Sequence, residues 1–162
     1  MTLQEIALTL PNRPGALAGV ARILAEERIN LAALSVNSEG EKGLVRIIVN
    51  DPKRALSVLK AAKYKAVVRE LLVVHLEDRA GSFLRILELL AEAKVNVQSV
   101  AILVTREGSQ NLVAVSATDL KRARTLLAGS GYISESAERL VTNADLLATP
   151  PAIPSESVGL LM

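Results

Sequence analysis

The sequence predicts an α+β fold of two tandem β-α-β-β-α-β units, each an antiparallel sheet with its helices on one face. Three observations carry this. The stretch Asn12-Arg13-Pro14-Gly15-Ala16-Leu17, with Asn30 after it, returns as Asp78-Arg79-Ala80-Gly81-Ser82-Phe83, with Asn96 after it, at a constant offset of 66. Self-similarity at such a period marks one structural unit used twice. Within each copy the apolar residues alternate, then recur at three and four, then alternate again, which is the switch from strand to helix and back. Turn and cap residues fall where the period changes. At 162 residues the chain accommodates two small units. Each is near the size at which a lone core is marginal, so the halves are expected to pack on each other and on a second chain.

Residues 2–10 alternate, with Leu3, Ile6, Leu8 and Leu10 apolar, and read as a strand with at least one face covered. Asn12 is placed as a helix N-cap with Pro14 in the first helical turn, where its missing N–H costs nothing. From Gly15 the spacing is helical, with Leu17, Val20, Leu24, Ala21 and Ile23 on one face, and Asn30 is read as the helix stop. Strands follow at 31–36 and 44–49, joined by the Gly-rich hairpin Ser38-Glu39-Gly40-Glu41-Lys42-Gly43. Asn50-Asp51-Pro52 repeats the start signal of a helix that runs through Leu56, Val58 and Leu59, and 64–70 is a fourth strand.

No linker follows. Residues 71–76 are at once the first strand of the second half, so the units share an extended segment and their sheets are expected to be continuous or closely packed. A helix from Ser82 to about Ala93 buries Phe83, Ile86, Leu87 and Leu90, and strands lie at 97–104 and 112–117. Beyond the second hairpin the offset is 68, from Asp51 to Asp119 and Tyr64 to Tyr132, so that hairpin is two residues longer. A fourth helix ends at Gly129-Ser130-Gly131, and the repeat closes near Glu138. The units are therefore expected at 1–70 and 71–138, with a Pro-containing extension at 139–162. Short connections and right-handed crossovers close each string most simply as a ferredoxin-like split β-α-β.

Half of the residues are hydrophobic and only three are aromatic, so the core must be built from Leu, Val, Ile and Ala. The absence of cysteine removes disulfides, thiolate nucleophiles and thiolate metal sites. A formal charge of +2, with basic groups such as Lys60, Lys63 and Lys65 and few aromatics between them, argues against nucleic acid as a partner. No apolar run reaches the ~18 residues of a membrane span, and the expectation is a cytoplasmic protein without a membrane anchor. His75 is alone in a strand and is read as a satisfied or exposed strand residue. Adjacent pairs such as Glu26-Glu27 do not point at one target, and Gly129-Ser130-Gly131 lacks the length and lysine of a phosphate loop. Hence no catalytic residues, no metal and no cofactor are expected.

Strand, then Asn-Arg-Pro-Gly-Ala-Leu, then an apolar helix and Ile29-Asn30-Leu31 into a second strand resembles the ACT domain, the small-molecule regulatory module of many amino-acid-metabolism enzymes. The resemblance covers about residues 1–138 and both halves. It implies that a free amino acid binds at an interface between two ACT units, held by Asn12, Gly15, Ala16, Leu17 and Asn30. In the second copy the corresponding residues are Asp78, Gly81, Ser82 and Asn96, but Ala80 replaces the proline and Asp78 the asparagine. A charged acceptor there could hold an ammonium group and would repel a carboxylate. Independently of the family, Gly15 leaves room for a ligand at a helix N-terminus, where N–H groups and dipole favour a carboxylate. The expected protein is thus a non-enzymatic amino-acid-binding regulator, homodimeric through the edge strand after Asn30 or Asn96. The alternative is a regulatory subunit of a separate biosynthetic enzyme, similar to the small subunit of acetolactate synthase, with a catalytic subunit as partner.

Overall fold

The computed structural model of the chain describes residues 3–76, 79–103 and 111–133. The sequence folds as β1 (Leu3–Pro11), α1 (Ala16–Glu26), β2 (Leu31–Glu39), β3 (Lys42–Val49), α2 (Pro52–Ala61), β4 (Ala66–Leu76), α3 (Ser82–Glu92), β5 (Val97–Leu103), β6 (Asn111–Ala117) and α4 (Leu120–Gly129). This is the tandem ferredoxin-like arrangement, α+β and antiparallel. Asp78, the closing strand expected beyond 133, and the 139–162 extension lie outside the described residues.

The strands expected at 64–70 and 71–76 are one strand. β4 pairs antiparallel with β1 along its first half, from Ala66↔Leu8 to Leu71↔Leu3, and with β6 along its second, from Leu72↔Val115 to Leu76↔Asn111. No turn residue interrupts the valine- and leucine-rich run, so the chain has no reason to break there. The result is one six-stranded sheet in the order β2-β3-β1-β4-β6-β5. Near the end of β4, the N–H of His75 donates to the carbonyl of Tyr132 at 2.9 Å.

Two cores lie under the helices. Ile6, Leu8, Leu10, Val45, Ile47 and Val49 of the sheet meet Val20 and Leu24 of α1 and Ala55 and Leu59 of α2. Leu72, Val74, Val113 and Val115 meet Ile86 and Leu90 of α3 and Ala123 and Leu127 of α4. Ala21, expected inward, is exposed, because α1 turns Val20 and Leu24, flanked by Leu17 and Ile23, to the core and Ala21 falls outside that stripe. A third cluster, Leu3, Ile48, Leu71, Val73, Leu112 and Ala114, covers the opposite face of the strands, with Ala32, Ala33 and Ala101 packed against it.

That third core exists because the sheet curls. β1 and β5 are three strands apart, roughly 14 Å if the sheet were flat. Yet the Ser99 hydroxyl reaches the Glu5 carboxylate at 3.4 Å. The edges β2 and β5, at opposite ends of the strand order, line a single groove. Alanines at the closing face let the two halves approach. Each buried leucine there contributes on the order of 1.5–3 kcal/mol through the water it sheds.

Candidate functional site

Both glycine-rich loops have the same local geometry. Ala16 N–H donates to Arg13 C=O at 3.2 Å and Gly15 has φ +83°, ψ −12°; Ser82 N–H donates to Arg79 C=O at 3.2 Å and Gly81 has φ +87°, ψ −8°. These are type II turns, in which proline suits the second position and glycine the third. Pro14 therefore sits in the turn preceding α1, not in its first helical turn. A Cβ on Gly15 or Gly81 would meet nothing within 4 Å, so the glycine is demanded by the left-handed backbone while the space beside it is open.

Asn12 does not cap α1. Gly15 occupies the cap position and no side chain bonds to the first turn; the same holds for Gly81 and α3. The Asn12 side chain instead donates to Gly40 C=O at 2.9 Å, and its backbone N–H to Glu41 C=O at 2.8 Å, tying the loop to the β2–β3 hairpin. Only the amide nitrogen can donate to a carbonyl, so this bond also settles which end of the side chain is the acceptor.

The other helix of each unit is finished differently. Asp51 accepts from Arg54 N–H at 3.0 Å to cap α2, and Asp119 accepts from Arg122 N–H at 3.0 Å to cap α4. Each unit thus has one capped helix and one whose first turn is left without a side-chain acceptor. The uncapped one follows the turn in both cases. Ser82, at the first position of α3, is 6% exposed, and its Oγ is buried with no partner among the described residues.

Asn30 does not stop α1. The helix ends with Arg28 in the left-handed conformation, φ 55°, Arg28 N–H on Ala25 C=O and Ile29 N–H on Leu24 C=O, the Schellman pattern. Asn30 exchanges backbone bonds with Asn50, accepting from Asn50 N–H at 3.2 Å and donating to Asn50 Oδ1 at 3.1 Å. Asn96 is placed equivalently against Thr118. Within one unit Asn12 and Asn30 lie at opposite ends of the sheet. Asn12 is at the Lys42 end of β3 and Asn30 at the Val49 end, roughly 24 Å away at ~3.4 Å per residue. One small ligand cannot touch both within one unit. Ala16 and Leu17 are half-buried beside Gly15 at the start of α1.

His75 is neither satisfied nor exposed. It is half-buried, and its Nε2 has no partner among the described residues. No group of three or more His, Cys, Asp or Glu among the described residues could hold a metal ion, and no described helix is long and apolar enough to cross a membrane. The sequence reading missed Glu5, which is 4% exposed on the curled face. The signal was a single acid in the mostly apolar first strand, and the sequence reading gave it no role.

Two split β-α-β units, each opening its first helix on an uncapped type II turn, define a tandem β-α-β-β-α-β module. The family model of the ACT domain matches the chain twice, at residues 5–66 and 71–127, and the chain belongs to that family. Among solved structures, a protein of Bacteroides thetaiotaomicron matches with a TM-score of 0.76 at 21% identity, covering 92% of this chain and 98% of that one. The regulatory subunit of aspartate kinase from Thermus thermophilus matches with a TM-score of 0.57 at 18% identity over 80% of this chain and 93% of that one. Its counterpart from Thermus flavus gives 0.56 at 18% over 81% and 92%. At these identities the likeness is one of fold. No curated protein matches the chain.

Proposed function

We propose that the chain is a non-enzymatic regulator that binds a free amino acid where two ACT units meet. The observation that carries this is the contrast within each unit: aspartate caps the second helix, while the helix after the glycine turn offers bare N–H groups and its positive dipole end beside open space. In the site, the N–H groups of Gly15 and Leu17 hold the carboxylate, with Ala16, whose N–H closes the turn on Arg13, placing them, and the exposed Arg13 adds positive charge. The oxygen of Asn12, oriented by its bond to Gly40, accepts from the ammonium group. Asn30 completes the site from a second unit, since it lies too far away within its own. The second loop repeats the turn with Gly81 and Ser82, and Asn96 stands against Thr118 as Asn30 stands against Asn50. A ligand spanning two units biases their packing by its differential affinity for the paired arrangement, which is all a regulator needs. The unit boundary falls inside β4, at 70/71, and the working assembly is a homodimer.

The test is a thermal-shift screen of the full chain against the twenty amino acids, repeated on Asn30→Ala. Asn30 pairs with Asn50 through its backbone, so this variant keeps the fold's bonds and removes only the side chain. A ligand at about 100 times its Kd adds ~2.7 kcal/mol to folded-state stability. A selective shift in the parent that fades in Asn30→Ala supports the reading, and no shift with any amino acid overturns it.

A second reading, a regulatory subunit for a separate enzyme, is favoured by the apolar edges: Leu34 is 48% exposed on β2 and Ile102 73% exposed on β5. The fold shared with regulatory subunits of aspartate kinase is compatible with it. Co-purification of a stoichiometric catalytic chain distinguishes the two.

A further inference from the structure

The groove between β2 and β5 is a different place from either loop, and its floor is charged. Its volume is about 210 Å³, and Leu34, Val100 and Ile102 stand exposed around it. Glu5 and Arg46 line it together, from adjacent strands β1 and β3. Ala7 is the partner of Arg46 in the ladder, so Glu5 is its diagonal neighbour on the same face. Such neighbours are about 7–8 Å apart. No ion pair joins them among the described residues. The Glu5 carboxylate has one long bond, 3.4 Å from Ser99, whose hydroxyl also meets that of Ser116 at 2.6 Å. The Nε of Arg46 is buried with no partner among the described residues. A buried acid and a buried guanidinium nitrogen are both costly to leave without partners, and here the two opposite charges face one groove with no ion pair between them among the described residues, so a ligand bearing both signs can meet each.

The fold does not require these charges. At the repeat offsets of 66 and 68, the second unit places Leu71 and Ala114 where the first has Glu5 and Arg46, and both belong to the apolar cluster inside the curl. In return, Ser99 and Ser116 answer Ala33 and Ile48. The polar floor is thus assembled once, from complementary substitutions in the two copies.

We propose that this groove is a ligand site for a small zwitterion, its ammonium group on Glu5 and the serine hydroxyls, its acid group on Arg46, and its side chain against Leu34, Val100 and Ile102. The volume lies below the ~300–1,000 Å³ of drug-sized pockets, which fits an α-amino acid and excludes a nucleotide. A phosphate alone would face the Glu5 charge, and an apolar guest would leave both charges unpaired. Because β2 and β5 belong to different units, the ligand clamps the curl shut within one chain. The proposal shares with the preceding reading only the ligand class, and the residues are disjoint.

The experiment is isothermal titration of the full chain with each of the twenty amino acids. Any binder is followed by its decarboxylated amine and its deaminated acid. The parent is compared with Glu5→Gln, Arg46→Met and Asn30→Ala, all first shown by circular dichroism to be folded. Charged hydrogen bonds of this kind correspond to about tenfold or more in affinity. The expected result is an event weakened at least about tenfold in Glu5→Gln and in Arg46→Met, unchanged in Asn30→Ala, and lost with both half-ligands. If every event responds to Asn30→Ala and none to Glu5→Gln or Arg46→Met, the groove site is overturned and the loop site stands. An event responding only to Glu5 and Arg46 leaves the groove standing and overturns the loop. Equal binding of the amine overturns the role of Arg46, and no binding at all overturns both sites.

Discussion

Gly15 and Gly81 separate two meanings a loop glycine can have. Neither is there because a neighbour leaves no room, since an added Cβ meets nothing within 4 Å at either position. Both are there because φ near +85° is a conformation in which a Cβ crowds its own backbone. Gly15→Ala is therefore expected to destabilise the unliganded protein by about 1–2 kcal/mol despite the open space, measured by urea unfolding; a change near zero would mean that the turn relaxes to another type. The Pro-Gly pair was in the sequence and is a type II signal, so the turn was legible and the assignment of Asn12 as a cap overlooked it. Glu5 was not legible in the same way. Alternation says which residues share a face, and says nothing about whether a curl three strands away will cover that face.

Helix ends were readable at some termini and not at others. Asp51-Pro52 and Asp119 announce α2 and α4, and both aspartates cap as their type suggests. The C-termini are a different matter. All four helices among the described residues close in the same pattern, with Arg28, Lys63, Lys94 and Gly131 in the left-handed conformation and the next residue's N–H reaching back to Leu24, Leu59, Leu90 and Leu127. Only Gly131 advertises this by residue type. At the other three the leucine five residues back, once buried, compels a basic residue into an unfavourable φ. Lys94→Gly is expected to raise stability by about 0.5–1 kcal/mol, relief of that strain being partly offset by losing a cation near the helix C-terminus. An unchanged or lower midpoint in denaturant would show that the charge outweighs the strain. Asp119→Ala is expected to cost ~1 kcal/mol through the lost cap, by the same measurement.

At the scale of the molecule, β4 and the curl make two repeats into one cooperative body. β4 is the second partner of β1 and the first partner of β6, and Leu71, at the crossover, is buried in the core that both halves share. The chain should unfold in a single calorimetric transition whose van't Hoff and calorimetric enthalpies agree. Leu71→Ala, expected to cost about 2–5 kcal/mol, should lower that transition as a whole; two resolved transitions would show that the halves melt independently. The duplication, the element order and the absence of a linker were all visible in the sequence. The curl was not, because it depends on small residues such as Ala33 and Ala101 packing on a shared cluster from strands far apart in sequence, which no local pattern reports. A shared strand also changes what selection can act on. A gene that lost either copy would leave the survivor with half a strand and a bare sheet edge, the kind of surface that pairs indiscriminately with other chains. Neither copy can then be tried alone, so each is free to drift from its ancestor as long as the pair works. The two halves are thereby heritable complements: one has proline in its turn and carries the charges of the groove, and the other has alanine there and supplies the hydroxyls.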